Sequence, residues 1–272
     1  MLLDDGTDQA VTVTLEPLGH GRVEGHPPIL PGPAAIMESA RTSISASRPG
    51  ARPLEPACDD RTVSTYAAQE RAQLVEALRA VPADAPTLCE GWTALDLAAH
   101  VVARERRIDS TPGLVVPALA GWTEKVRAGI ARRPYPEVIQ LIADGPPWTS
   151  LFALPGVDSA ANFSEFAIHT EDVRRGRPGW SPRDLDPGEQ DEIWKGLRSR
   201  GRMFFRSAPV AVVLALPDGR RQAVAGDGPH VTLTGEPLEL LLYSAGRRGA
   251  AQVEVSGADD AVRKFTGMKL GF

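Results

Sequence analysis

The chain lacks the features that mark membrane, secreted and nucleic-acid-binding proteins. No apolar run reaches the about 18 residues of a membrane-spanning helix, and the acidic N-terminus MLLDDGTDQA is unlike a secretory signal. Two cysteines, Cys58 and Cys89, are too few for a disulfide framework and favour a reducing cytoplasm. The net charge of −5 and the pI of about 5.6 exclude an overall basic surface for nucleic acid or anionic lipid.

Residues 1–60 are rich in Pro, Gly and Ser and are predicted to be a disordered leader, with one strand-like stretch at Val11–Pro17. Such a composition buries too little apolar surface to offset the entropy lost on ordering the chain. The two histidines of this segment, His20 and His26, are therefore not expected to be ligands.

After the leader, the periodicity predicts an α+β protein of two parts. In residues 61–206, helical segments beginning at Ser64, Thr93, Leu114 and Ser159 predict a four-helix bundle. Thr93 and Asp96 have the spacing of a capping box, which marks the start of the second helix. In residues 207–272 the pattern changes to short strands with a hairpin turn at Asp218-Gly219 and two helical stretches, which predicts a small α+β domain.

The stretch Asn162–Arg175, NFSEFAIHTEDVRR, carries the first candidate site. Glu165 and His169 are four residues apart and therefore lie on one face of the predicted helix, where a carboxylate and an imidazole can bind one cation. The alternative is an ordinary exposed helix pair. A third residue, His100, lies in the middle of the second helix, and its own alternative is a satisfied core histidine.

Together, His100, Glu165 and His169 form a His₂Glu set, which leaves a fourth coordination position open, as in catalytic zinc sites. Asp96 and Asp172 lie one helical turn from the two histidines, so they are candidate acceptors for the second imidazole N–H. Their alternative role is charge pairing at the helix ends.

The motifs PTLCEGWTALDLAAHVVARERR and NFSEFAIHTEDVRR resemble the DinB-like, mycothiol-dependent maleylpyruvate isomerase superfamily. More closely, the chain looks like an actinobacterial branch of metal-binding proteins of unassigned reaction, and the resemblance covers Ser64–Phe272. It implies a DinB-like bundle, a divalent metal, usually zinc, on His100, Glu165 and His169, and a C-terminal domain of sterol-carrier-protein-like shape. It also implies mycothiol as the cosubstrate.

These features predict a metal-dependent isomerase or transferase that activates a thiol against a small electrophilic substrate. Arg104 and Arg107 are candidates to hold a carboxylate of the substrate or thiol, or else they form a solvated helix end. Cys89 is interpreted as a small buried hydrophobe, with a reactive thiol as the alternative. Two other functions stay open: a metal- or ligand-binding protein without turnover, and a hydrolase using metal-bound hydroxide.

Overall fold

The computed structural model describes residues 60–107, 109, 120–147 and 159–270, and these form two compact units. The first unit ends at Asp184 and the second begins at Leu185. The predicted leader, with His20 and His26, lies outside the described residues, as do Cys58 and the first residues of the helix predicted from Leu114. Each unit has its own buried core.

Among the described residues, the first unit is helical. The long first helix packs along the fifth, the second packs against the third and fourth, and the fourth also contacts the first. The five helices are α1 (Asp60–Arg79), α2 (Ala94–Arg106), α3 (Ala120–Ile130), α4 (Tyr135–Ala143) and α5 (Ser159–Arg174).

Apolar side chains from these helices fill the centre of the unit. Leu74 and Leu78 of α1 are four residues apart and face inward together with Leu97 of α2, Ile142 of α4 and Phe166 of α5. Periodic placement of this kind puts one apolar stripe of each helix into a shared core. The polar residues that interrupt those stripes are the ones that need a separate explanation.

The first helix starts earlier than the sequence predicts: it begins at Asp60, so Ser64 lies inside it. The second helix ends at Arg106, and its C-cap Arg107 leaves helical geometry while its N–H still bonds the Ala103 carbonyl. Helix ends are hard to place from sequence because local signals there are weak.

The second unit is built on a four-stranded sheet with the order β2-β1-β3-β4. The first two strands form an antiparallel hairpin through Asp218-Gly219, and Gly219 takes the positive φ of 92° that such a turn requires. The third strand pairs parallel to β1, and the fourth is antiparallel to β3. The strands are β1 (Ala211–Ala215), β2 (Arg221–Ala225), β3 (His230–Thr234) and β4 (Glu254–Gly257).

Three helices complete the second unit: α6 (Pro187–Phe204), α7 (Pro237–Ser244) and α8 (Asp259–Thr266). The helix α6 packs on α7 and β2, and it approaches β2 closely at Gly201, where a Cβ atom would lie 2.6 Å from Val224 Cγ1. The boundary between the compact units therefore precedes this helix, whereas the sequence analysis places it at 206/207. Helical periodicity does not reveal which layer a helix packs on.

The fold class is confirmed as α+β, with a helical bundle followed by a small α+β layer. Among the described helices, none is long and apolar enough to cross a bilayer.

Candidate metal centre

The helix α2 places His100 in the interior of the first unit. Its start is fixed by the predicted capping box: Thr93 Oγ1 accepts the Asp96 N–H at 3.2 Å, and Asp96 Oδ2 accepts the Thr93 N–H at 3.0 Å. His100 follows one turn later among buried alanines and valines and is itself 8% exposed.

The helix α5 supplies the other two predicted ligands on one face. Glu165 and His169 are both buried, and Glu165 Oε2 lies 3.0 Å from His169 Nε2. The His100 ring approaches the His169 ring edge-on, with centroids 5.4 Å apart and an interplanar angle of 77°. One ligand atom from each of the three residues lies within 4.8 Å of the others. The structure thus brings the three predicted ligands together.

One oxygen in this cluster has no hydrogen bond. Glu165 Oε2 is buried and, although it is close to His169 Nε2, the contact lacks hydrogen-bond geometry and no other group donates to it. The charge of the nearby His169 attracts this oxygen, but without a well-directed donor the oxygen has lost the hydrogen bonds that water would supply. A cation between the two helices compensates for this loss, so the donor set fits a metal ion such as Zn²⁺.

The protonation states in the metal-free protein are set by burial and by charge. Burial and the neighbouring His169 lower the pKa of His100 to about 3, although Glu165 opposes them. Burial raises the pKa of Glu165, but Arg104 and His169 outweigh it and lower that pKa to about 2. At neutral pH, therefore, His100 is a neutral imidazole and Glu165 an anion, which are the forms that bind metals.

His169 behaves differently from His100. Burial lowers its pKa, but the hydrogen bond with Asp172 and the Glu165 carboxylate outweigh burial and raise the pKa well above the usual 6.5. His169 is therefore protonated in the metal-free protein and must release that proton when a metal binds.

The two predicted partners of the histidines have different roles. Asp172 Oδ2 lies 2.9 Å from His169 Nδ1 and accepts a hydrogen bond from its N–H. This is the contact that orients a ligating imidazole. Asp96, in contrast, bonds Thr93 and receives Arg127 Nη1 at 2.5 Å, so its carboxylate serves the helix cap and an ion pair. The Trp92 ring lies beside His100, and the two ring centroids are 5.1 Å apart.

The two candidate arginines also lie in different surroundings. Arg104 points into the centre: its Nε lies 3.8 Å from Glu165 Oε1, and its Nη1 donates to Asn162 Oδ1. Arg107 lies at the exposed end of α2 and forms two hydrogen bonds with Asp109, at 2.8 and 2.7 Å. Of the two, only Arg104 adjoins the candidate ligands.

Sequence reasoning did not single out Asn162 and did not predict the contact of Cys89 with Asp172. Asn162 is a buried amide one turn before Glu165, and its only signal is a polar residue on the inner face of an otherwise apolar helix. Cys89 is a buried free thiol whose Sγ lies 3.1 Å from Asp172 Oδ2. Since 83 residues separate Cys89 from Asp172, no local pattern reveals this contact.

Comparison with known proteins gives a match to one family model, over part of the chain, and a similarity to one fold. Residues 65–145 match the family model of the mycothiol maleylpyruvate isomerase N-terminal domain, which includes His100 and ends before Glu165. A crystal structure of the mycothiol-dependent maleylpyruvate isomerase shares 17% identity with a TM-score of 0.51, covering 71% of this chain and 92% of that chain. A histidine-to-alanine mutant of that enzyme matches with the same identity and coverage and a TM-score of 0.50. No curated protein matches the chain.

Proposed function

We propose that this chain, whose residues 65–145 match the mycothiol maleylpyruvate isomerase N-terminal domain, is a metal-dependent enzyme that uses a low-molecular-weight thiol. The proposed metal ligands are His100, Glu165 and His169. Zinc is the first candidate for the metal and mycothiol for the thiol. The proposed reaction is isomerisation of a small electrophilic substrate or transfer of the thiol to it.

The observation that carries this proposal is the buried Glu165 Oε2, which has no hydrogen bond and belongs to a cluster with the His100 and His169 imidazoles. A structural ion pair has its buried oxygens bonded, because an unbonded one costs about 1–3 kcal/mol. Here the oxygen lacks a hydrogen bond, and one ligand atom each of His100, Glu165 and His169 lies within 4.8 Å of the others. This arrangement supports a cation as the missing partner.

Three protein ligands of this kind suit zinc and leave a further position for an exogenous group. When bound there, the metal supplies a positive charge that favours the thiolate form of a coordinated thiol at neutral pH. The chain's own residues have the other tasks. Asp172 holds the His169 Nδ1–H, and the burial of His100 keeps its imidazole neutral and available.

We assign Arg104 to the recognition of a carboxylate on the substrate or thiol. Asn162 accepts from one of its terminal nitrogens, and its Nε lies near Glu165, so the guanidinium is held at the edge of the centre. A guanidinium binds carboxylates through paired hydrogen bonds, which gives orientation as well as affinity.

A second candidate is a metal-binding protein without turnover. It is supported by the hydrogen bonds that the nearest carboxylates already make. Asp172 bonds His169, and Asp96 bonds Arg127. A reaction that needs a protein acid or base beyond the ligands then has to use the substrate's own groups or a thiol.

The decisive test is turnover under metal control. The protein is stripped with a chelator, reloaded with zinc, and given mycothiol and maleylpyruvate or another unsaturated electrophile. We expect catalytic consumption of the electrophile that requires both zinc and thiol and is lost in His100→Ala.

His230→Ala is the matched control, since this histidine is exposed on β3 in the second unit. It should retain full activity. Zinc binding by the wild type without turnover on any thiol and electrophile pair supports the binding-protein alternative. Turnover that survives chelation and His100→Ala contradicts the proposed role of the metal.

A further inference from the structure

The connection between α1 and α2, residues 80–93 and here called the α1–α2 loop, lies against the C-terminal half of α5. Its Leu88 N–H donates to the Asp172 carbonyl at 3.0 Å. Further along, a Cβ at Gly176 would collide with the Pro86 carbonyl oxygen, so the two backbones touch there. The loop is therefore held to α5 through its main chain, independently of the Cys89 side chain.

Within this loop, the backbone geometry fixes the direction of the Cys89 thiol. The Cys89 N–H bonds Thr87 Oγ1 at 3.2 Å, and its carbonyl accepts the Trp92 N–H at 2.9 Å. The side chain is buried, and its S–H donates to Asp172 Oδ2 with a sulfur–oxygen distance of 3.1 Å. The same oxygen lies 2.9 Å from His169 Nδ1.

His169 thus stands between two clusters of potential ligands with opposite properties. On its Nε2 side, Glu165 Oε2 has no hydrogen bond. On its Nδ1 side, Asp172 Oδ2 bonds both Cys89 and His169, so its hydrogen-bonding capacity is used within the protein. The first arrangement leaves an acceptor open to a cation, whereas the hydrogen bonds of the second are made within the protein.

We propose that Cys89 is a positioning residue for the metal ligand His169 and acts on it through Asp172. The inference rests on the proposed metal site. Two donors on one oxygen restrict rotation of the Asp172 carboxylate, and the fixed oxygen in turn holds the His169 Nδ1–H. The Nε2 atom is then directed toward Glu165 and His100.

The test compares Cys89→Ala, which removes the donor, with Cys89→Ser, which keeps one. Zinc affinity is measured by competition with a chromophoric chelator. Loss of a direct partner of a ligand typically weakens metal binding by about 10–100-fold, and for this more distant residue we expect about 3–10-fold in the alanine variant. The serine variant should stay within about twofold of the wild type, because its hydroxyl still donates to Asp172.

If Cys89 serves only as a packed hydrophobe, the order reverses, because alanine suits an apolar site better than serine does. Ser244→Ala is the control for the loss of a buried hydroxyl donor elsewhere, since Ser244 Oγ bonds Leu240 O in the second unit. It should leave zinc affinity unchanged. Equal affinities of the alanine and serine variants, or the reversed order, overturn the inference.

A second measurement does not depend on metal. In the metal-free protein, the His169 Nδ1–H proton should give a downfield NMR signal protected from exchange by Asp172. We expect this signal to broaden or shift in Cys89→Ala and to persist in Cys89→Ser. If the wild type binds no zinc but shows this NMR pattern, the proposed function is wrong and only the positioning of His169 by Cys89 is supported. An unchanged signal in Cys89→Ala contradicts that positioning and leaves the proposed function standing.

Discussion

Two buried glutamates on α5, Glu165 and Glu171, lie six residues apart and differ in how their charge is compensated. Glu171 is fully buried, and its two oxygens bond Arg174, Arg175 and Arg183 at 2.5–2.8 Å. Arg183 also bonds both oxygens of Glu70, at 2.6 and 3.0 Å. We call these residues the closed cluster.

The oxygens of Glu165 are not all bonded in this way. Its Oε2 is buried but has no hydrogen bond. Both glutamates have a lowered pKa, so both are anions at neutral pH. The difference shows that burial of a charge alone does not mark a site. What distinguishes Glu165 is an oxygen without a donor beside two imidazoles.

The largest effect should come from breaking the closed cluster. Glu171→Ala leaves the Arg175 guanidinium, whose side chain is fully buried, without its 2.5 Å partner. Removing one partner of a buried ion pair costs about 3–5 kcal/mol, and urea unfolding of the variant should show a loss of this size. The exposed pair of Glu76 with Arg79 provides the control, since Glu76→Ala should cost less than about 1 kcal/mol. Equal losses in the two variants contradict the distinction.

Changes around His100, Glu165 and His169 should have the opposite signature, with zinc binding affected more than stability. Asp172→Asn replaces the charged acceptor of the His169 Nδ1–H and should weaken zinc binding by about 10–100-fold. His100→Ala removes a ligand itself and should weaken it further. Glu171→Ala, assayed where it is still folded, should keep a zinc affinity near that of the wild type. Calorimetric titration with zinc gives all three values, and a loss in Glu171→Ala as large as in Asp172→Asn argues against separate roles.

The pH dependence of zinc binding should report a single proton. His169 has a raised pKa and is protonated before the metal binds, whereas His100 and Glu165, with pKa values of about 3 and about 2, are already deprotonated. Zinc affinity should therefore rise about tenfold per pH unit from about pH 4 up to the pKa of His169 and level off above it. A slope of two protons per zinc would show that His100 is also protonated, against its assigned state.

The smallest effect is expected at Arg107. This arginine is a sequence candidate for substrate binding, but it is paired with Asp109, and both side chains are about half exposed. Arg107→Ala should change the free energy of unfolding by less than about 1 kcal/mol and leave the KM for the thiol and the substrate unchanged. Arg104→Ala should raise the KM for whichever of them carries the carboxylate. Steady-state kinetics of the two variants decides between them.

The sequence carried much of this site because its information is local. The i, i+4 spacing of Glu165 and His169 and the capping box at Thr93 are properties of single helices, and each has the predicted geometry. The meeting of His100 with these residues depends on how α2 and α5 pack. It was predicted from the family resemblance and from the chemistry of a His₂Glu set.

The sequence does not reveal which groups from distant parts of the chain form hydrogen bonds with the site residues. Asp96 lies one helical turn from His100, as Asp172 does from His169, yet Arg127 from another helix engages it. Cys89 bonds Asp172 only because the α1–α2 loop folds back on α5. The placement of α6 on the sheet is likewise set by surfaces that its own sequence does not reveal.

The most direct test of the central claim is the metal content of the purified protein. Elemental analysis should find one zinc or similar divalent ion per chain in the wild type and in His230→Ala, and none retained in His100→Ala or His169→Ala. Stoichiometric metal that persists in either ligand variant, or a wild type that takes up no metal even after reconstitution, would contradict the account. Glu165 and His169 would then be an ordinary buried helix pair.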